Sequence, residues 1–220
     1  MSKRIFAIGD IHGCFDSLIE LIENVISLKK EDKLILLGDY IDRGLDSKKV
    51  LDYIITLQSN NYDIVTLHGN HESMLIDAYY NEDVTSKWIQ NGGSETLKSF
   101  EVDSLKAIDP KYINFCNNLK SHYELDEYIF VHAGLNDNLE DPFSDTYSML
   151  WSSKEQYLNP LLVDKIIIHA HSPVSLNFTQ KQISNNSRVI NIDGGRVYNN
   201  ANWGKLIAIE VNTRTILFVS

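Results

Sequence analysis

Cysteine is scarce in this 220-residue chain, which holds only Cys14 and Cys116. Two thiols so far apart form neither a zinc-binding spacing nor a disulfide framework, and they read as free thiols of a reducing compartment. No apolar run approaches the ~20 residues of a membrane span. The N-terminus passes from Ser2-Lys3-Arg4 into a short strand-like run and then polar residues, without an apolar stretch of signal-peptide length, so a cytoplasmic location is expected. Positive charge is in deficit: 20 Lys and Arg against 30 Asp and Glu give a formal net charge of −10. That argues against a sequence-independent grip on nucleic acid, which needs clustered basic side chains to neutralise phosphates. It does not argue against a phosphorylated substrate, because bound cations, absent from the formal count, can reverse the field at a site. Repeats, low-complexity segments and long like-charge runs are missing too, and no Pro/Gly/Ser-rich linker divides the chain. Residues 1–220 are therefore expected to form one domain around one core.

What the chain does have is a succession of short apolar runs, each ending in a polar cluster. Arg4 to Ile8 reads as a strand, and Phe15 to Leu28, with Leu18, Leu21, Ile22, Val25 and Ile26 at helical spacing, as one amphipathic helix capped near Asp16. A strand at Lys33 to Leu37, a helix at Ser47 to Leu57, a strand at Asp63 to Leu67 and a helix through Met74, Leu75 and Ala78 follow. This β-α alternation predicts a largely parallel sheet covered by helices. Tyr79 to Ser121 reads as helical and loop-rich, lying over one rim of the sheet. Strand patterns resume at Tyr128 to Val131, Asp164 to Ile168, Arg188 to Ile192, Leu206 to Val211 and Thr215 to Val219. No helical pattern separates the last of these, which predicts a second, mostly antiparallel sheet.

The polar clusters are Gly9-Asp10-Ile11-His12-Gly13, Gly38-Asp39-Tyr40-Ile41-Asp42-Arg43-Gly44, Gly69-Asn70-His71-Glu72, His132-Ala133-Gly134 and His169-Ala170-His171-Ser172-Pro173. Charged side chains at the end of a buried strand are costly unless something binds there. For Asp39, Asp42 and Arg43 the competing reading is a solvated turn with an Asp–Arg pair. In open α/β sheets ligands bind outside the carboxyl ends of the strands, so the clusters can converge. Of seven histidines, only His122 lies outside them or their edges. The residue types suit two divalent cations: Asp10 and His12 can point the same way from extended chain, Asp39 can offer one oxygen to each ion, and Asn70, His132 and His171 supply neutral ligands. Two such ions roughly 3.5–4 Å apart suit in-line displacement at phosphorus.

The motifs GDxHG at 9–13, GDxxDRG at 38–44 and GNHE at 69–72, in this order and spacing, make the sequence resemble the phosphoprotein phosphatase family of calcineurin-like metallophosphoesterases. The resemblance extends from Phe6 to about Ile209. It implies an α/β fold, a two-sheet β-sandwich flanked by helices, and two divalent metal ions, Mn²⁺ first, with Fe or Zn²⁺ as alternatives. It implies that Asp10, His12 and Asp39 hold one ion and Asp39, Asn70, His132 and His171 the other. His71 becomes the general acid, Asp42 orients its imidazole, and Arg43 and Asn70 bind the phosphoryl oxygens. The activity implied is hydrolysis of phosphomonoesters, foremost phosphoserine and phosphothreonine in proteins, by direct attack of a water bridging the two ions.

The chain also departs from the family's pattern. His68 stands where many relatives have an arginine, and Ser153 where bacterial members often carry a second phosphate-binding arginine. Lys154, Arg188 and Arg196 are the candidates to replace it. His68 and His169 are expected to play supporting parts, and the Asn191-Ile192-Asp193-Gly194-Gly195 loop a structural one. The symmetrical diadenosine tetraphosphatases share these motifs and are the alternative reading. A non-catalytic phosphate-binding scaffold is the alternative of another class, but all six ligand positions are present. Partners are expected to be a phosphorylated protein or small phosphoester rather than nucleic acid or membrane. Specificity is expected in Tyr79 to Ser121 and Asn136 to Pro160.

Overall fold

A computed structural model describes residues 3–198, 200 and 202–220. Among these residues no helix is long and apolar enough to cross a membrane. Strands β1 (Ile5–Ile8), β2 (Lys33–Leu36) and β3 (Asp63–Thr66) pair in parallel, linked by α1 (Phe15–Ile19) and α2 (Ser47–Ser59). Helix α3 (Asn70–Tyr80) leaves the end of β3, and α4 (Thr85–Trp88), α5 (Ser94–Ser99) and α6 (Pro110–Asn117) make up the helical middle. The second half contains β4 (His122–Leu125), β5 (Tyr128–Val131), α7 (Thr146–Trp151), β6 (Ile166–His169), α8 (Leu176–Ser184), β7 (Val189–Asn191), β8 (Leu206–Glu210) and β9 (Thr215–Val219). The strands form two sheets, ordered β3-β2-β1-β8-β9 and β4-β5-β6-β7.

Side-chain alternation along the strands builds three apolar layers. Phe6 and Ile8 of β1, Leu34 and Leu36 of β2, and Leu206 and Ala208 of β8 face the helices, where they meet Leu18, Val50, Ile54 and Met74. The intervening residues Ala7, Ile35, Ile207 and Ile209 face Phe130, Ile168 and Ile190 of the other sheet. Ile129, Val131, Ile167 and Val189 point outward from the second sheet under Leu135, Met149 and Leu162. Period-two alternation with both faces covered is the packing of a sandwich buried on each side, the expected two-sheet arrangement.

The expectation of a mostly antiparallel second sheet is overturned. β5, β6 and β7 run parallel and only β4 is antiparallel to its neighbour, while β8 and β9 form a hairpin that joins the first sheet antiparallel to β1. The sequence pattern conceals α8, the crossover between β6 and β7. This helix is short and mostly polar: Thr179 is its one fully buried residue, and Leu176 and Ile183 complete a thin stripe against the core, which is easily overlooked beside a strand pattern. The half-exposed residues of the short edge strand β4 conceal it in the same way.

The helix expected over Phe15 to Leu28 also differs. Its α-helical part ends at Ile19 and a π-helical stretch continues from Glu20 to Ile26, closed by Ser27 in a left-handed conformation. Its N-cap is Cys14, without a side-chain hydrogen bond, rather than Asp16. In the wider turn Leu21, Ile22 and Ile26 are buried while Val25 turns outward, 38% exposed. An apolar stripe at 3.6 residues per turn does not hold through a π-helical turn, which is wider.

Candidate metal centre and catalytic site

The polar clusters leave the carboxyl ends of β1, β2, β3, β5 and β6 and converge. Chain reversal right at the strand ends forces His12, Asp39, Asp42, Arg43 and His171 into the left-handed region, with φ from 46° to 72°. Non-glycine residues there cost of order 1–3 kcal/mol each and persist where surrounding contacts over-determine them. The restraints here are specific. Ile11 and His12 donate backbone N–H bonds to the Asp39 carbonyl, tying the first loop to the second. Buried Glu72, at the start of α3, accepts from the backbone N–H groups of Asp39 at 2.9 Å, Tyr40 at 2.8 Å and Gly69 at 3.1 Å. Glycine is required at position 69, where a Cβ would lie 2.2 Å from Asp39 Oδ1.

Asp39 lies at the centre of the cluster. Its Oδ2 is 3.5 Å from His12 Nε2 and its Oδ1 is 3.5 Å from His132 Nε2. Asn70 Oδ1 lies 2.9 Å from both His132 Nε2 and His171 Nδ1. Asp10 Oδ1 accepts from the His171 backbone N–H at 3.4 Å. Two donor triads result, His12–Asp39–His71 and Asp39–His132–His171, and the potential ligand atoms within each triad lie within 4.8 Å of one another. The geometry thus groups His71 with His12 and Asp39, and brings Asp10 toward His171.

The donor chemistry fits divalent cations. His12 and His132 can each donate from Nδ1 to a backbone carbonyl, that of Ile41 at 2.9 Å and that of Leu37 at 3.0 Å, which turns the Nε2 lone pairs toward Asp39. An imidazole fixed in this way by its other nitrogen is a ready ligand. Burial pushes His12 down to about 3 and His171 down to about 4, keeping both neutral. Burial, followed by the charges of Asp193 and Asp39, drives Asp10 well above the usual carboxylate range. For Asp39 burial acts upward, but the imidazoles of His132, His71 and His12 outweigh it and hold its carboxyl low. Buried acidic groups, with Asp10 and Asp193 pushed toward their protonated forms, crowd against imidazoles that burial disfavours charging, and among the described residues three buried polar atoms, His68 Nε2, His71 Nε2 and Asp193 Oδ2, have no hydrogen-bond partner. Such a set is electrostatically incomplete without positive charge.

Beside the triads, His71 Nδ1 lies 2.7 Å from Asp42 Oδ2, and Asp42 is fully buried. Sequence reasoning does not assign Asp42's remaining partners. Trp88 Nε1 donates to both carboxylate oxygens, at 3.0 and 3.2 Å, and Thr96 Oγ1 donates to Oδ1 at 2.6 Å. Neither belongs to a strand-end cluster; both fall in the stretch from Tyr79 to Ser121 that reads only as helical and loop-rich.

The guanidinium of Arg43 reaches the cluster, with one nitrogen 2.7 Å from His12 Nε2 and the group 5.8 Å from the Tyr198 ring centroid. The candidates for a second phosphate-binding cation make other contacts. Lys154 lines a hollow of about 240 Å³ with Ser153, His169 and Ser172. Arg188 is 3.7 Å from Asp164, and Arg196 donates to Ser17 Oγ. A larger groove of about 530 Å³ starts beside the α3 turn that carries His71 and is lined by Met74, Trp88, Asn91, Leu150 and Trp151.

His169 offers a test of the burial at this end of the molecule. It is 4% exposed and burial pushes it from 6.5 down to about 4. The unfolded chain therefore takes the proton first as pH falls, so the group's contribution is full above about 6.5 and drains away toward about 4. Urea unfolding between pH 6.5 and 4.5 should show that His169→Phe flattens the pH slope of stability by about 1.4 kcal/mol per unit relative to wild type. An unchanged slope would mean that His169 titrates normally in the folded chain.

The fold has solved counterparts. It matches a provisionally named diadenosine tetraphosphatase with a TM-score of 0.70, over 100% of this chain and 94% of the other at 17% identity. It matches a Saccharomyces cerevisiae serine/threonine phosphatase with a TM-score of 0.62, over 99% and 79% of the two chains at 17% identity. The sequence model of the calcineurin-like phosphoesterases matches residues 3–202, and the chain belongs to that family. Among curated relatives, the Salmonella typhimurium serine/threonine-protein phosphatase 2 is 29% identical over 160 residues, 68% of each chain. A symmetrical bis(5'-nucleosyl)-tetraphosphatase of Buchnera aphidicola is 32% identical over 59% of this chain and 43% of its own. The zinc-dependent endopolyphosphatase of Saccharomyces cerevisiae is 36% identical over 47% of this chain, and the match spans 31% of that enzyme.

Proposed function

We propose that this chain is a metal-dependent phosphomonoesterase acting on phosphoserine and phosphothreonine in proteins. The observation that carries the reading is a histidine with divided duties. His71 Nδ1 is engaged by buried Asp42 at 2.7 Å, whereas its Nε2, without a hydrogen-bond partner among the described residues, lies 4.0 Å from Asp39 within the donor cluster. Asp10, His12 and Asp39 would hold one divalent ion, and Asp39, Asn70, His132 and His171 the other, with Mn²⁺ the expected metal. When bound, these ions supply Lewis acidity to the phosphoryl group and acidify water. The chain's own residues do the rest. Arg43 offers its planar fork to the phosphoryl oxygens, Asn70 offers its amide, and His71 gives a proton from Nε2 to the departing alkoxide. Asp42 keeps Nδ1 protonated and the ring in place throughout. Lys154, which lines a hollow with His169 and Ser172 on either side of His171, is the second cation offered to the substrate's phosphate.

The alignment that covers 68% of both chains is with a serine/threonine-protein phosphatase, which favours a protein substrate. A second reading, hydrolysis of dinucleoside polyphosphates, draws support from the tetraphosphatase relatives and from the aromatic side chains of the groove beside His71. With Mn²⁺ present, phosphate release from a phosphothreonine peptide should exceed cleavage of diadenosine tetraphosphate by at least about tenfold in kcat/KM, a difference of ~1.4 kcal/mol in transition-state binding. The reverse preference would install the second reading.

A further inference from the structure

Asp42 is wrapped far more completely than an orienting carboxylate requires for a single contact with His71. Its Oδ2 lies 2.7 Å from His71 Nδ1, Trp88 Nε1 donates to both of its oxygens, and Thr96 Oγ1 donates to Oδ1 at 2.6 Å. The Asp42 backbone N–H, at φ 69°, points to Thr96 Oγ1 at 2.9 Å and Ser47 Oγ at 3.1 Å. Ser47 and Thr96 hydroxyl oxygens are themselves 3.1 Å apart. A hydroxyl has one proton and two lone pairs. Thr96 spends its proton on the carboxylate, accepts from the Asp42 N–H, and takes the Ser47 proton, so its role in the network is fully assigned.

Both donors come from a segment distant in sequence and shaped to bring them together. Helix α4 ends at Trp88, a wide turn through Gly92 at φ 109° follows, and α5 carries Thr96. Gly93 lies flat on the indole, where a Cβ would be 2.4 Å from Trp88 Cε2. A Cβ on Gly92 would be 2.6 Å from the backbone nitrogen of Arg43. The segment therefore presses against the phosphate-facing arginine and the carboxylate of the acid pair at once.

We infer that Trp88 and Thr96 are positioning residues for proton delivery: they prevent the Asp42 carboxylate from rotating, so that Oδ2 stays on His71 Nδ1 and the imidazole keeps Nε2 aimed at the leaving group. Without them the carboxylate can turn, the ring can swing or invert, and the fraction of molecules with a correctly placed proton falls. The inference rests on His71 being the general acid, and the experiment separates the two.

The enzyme is loaded with Mn²⁺ and kcat is measured over a series of phosphate monoesters from 4-nitrophenyl to simple alkyl. Wild type, Thr96→Val, Thr96→Ser, Trp88→Phe and His71→Asn are compared, with melting temperature and Mn²⁺ affinity followed in each. A good leaving group needs no proton, so lost proton delivery steepens the dependence of log kcat on leaving-group pKa. His71→Asn should give the largest steepening. Thr96→Val and Trp88→Phe should each slow alkyl phosphates about tenfold more than the nitrophenyl ester, and Thr96→Ser should restore the wild-type slope, consistent with ~1.4 kcal/mol from a hydrogen bond to a charged group. Steepening in His71→Asn with the wild-type slope, or a uniform slowing, in both Thr96→Val and Trp88→Phe overturns the positioning role and leaves the acid intact. If His71→Asn itself shows no steepening, the acid assignment falls and the inference falls with it. Two variants at separate positions guard against one failing to fold.

Discussion

Stripping the protein of divalent cations should reduce hydrolysis of an aryl phosphate by at least about a thousandfold, because the charge stabilisation at stake is several kcal/mol and each 1.36 kcal/mol is a factor of ten. Added Mn²⁺ should restore the rate. Burial is the root of the effect. Asp10, Asp39 and Asp193 are each no more than 4% exposed and crowd together, while burial holds His12 and His171 neutral. A phosphate dianion brought into that buried site without cations meets the Asp39 carboxylate, which is held ionised, and finds no bound cation to offset it. Cation binding to the folded chain alone also stabilises it by mass action, so Mn²⁺ should raise the melting temperature in a concentration-dependent way. Turnover that survives complete metal removal would contradict both expectations.

The second large effect is expected at His71. Replacement by Asn should lower kcat on a phosphoserine peptide by about 10²–10³, within the range of a lost general acid. Mn²⁺ affinity should change far less, since the remaining donors around Asp39 are untouched. Asn cannot carry a proton to the leaving oxygen, but it is small enough to leave the Asp42–Trp88–Thr96 network in place. Titration calorimetry with Mn²⁺ beside steady-state kinetics separates the two effects. Equal loss of metal binding and turnover would instead make His71 a metal ligand, a role that its place in the His12–Asp39–His71 triad allows.

Much of the site is legible in the sequence because its residues cluster where strands end. Asp10 and His12 follow β1, Asp39 follows β2, and Asn70 and His71 follow β3, so local order in the sequence becomes proximity in space through parallel strands with a common direction. His132 and His171 are visible for the same reason at β5 and β6. Trp88 and Thr96 are not, since they lie 46 and 54 residues from Asp42 and belong to a helical segment whose pattern speaks of packing rather than chemistry. Glu72 stands out as part of a motif, but its task of gathering backbone N–H groups from two loops depends on the fold. The fold is readable where periodicity is strong, as in β1 to β3, and misleading where it is weak. The stripe of α8, Leu176, Thr179 and Ile183, is thin and set among polar residues, so the parallel crossover between β6 and β7 looks like an antiparallel turn. The π-helical stretch after Ile19 breaks the α-helical period and turns Val25 outward. The cations proposed to grip phosphate show a similar split. Arg43 is specified by its motif, whereas the position of Lys154 depends on the course of residues 152–160, where little pattern exists to read.

The most direct test of the proposed two-metal site is anomalous diffraction from crystals grown with Mn²⁺. Two peaks should appear, one among Asp10, His12 and Asp39 and the other among Asp39, Asn70, His132 and His171, with Asp39 bound to both. No peak in this cluster, or ions placed so that Asp39 touches neither, would contradict it.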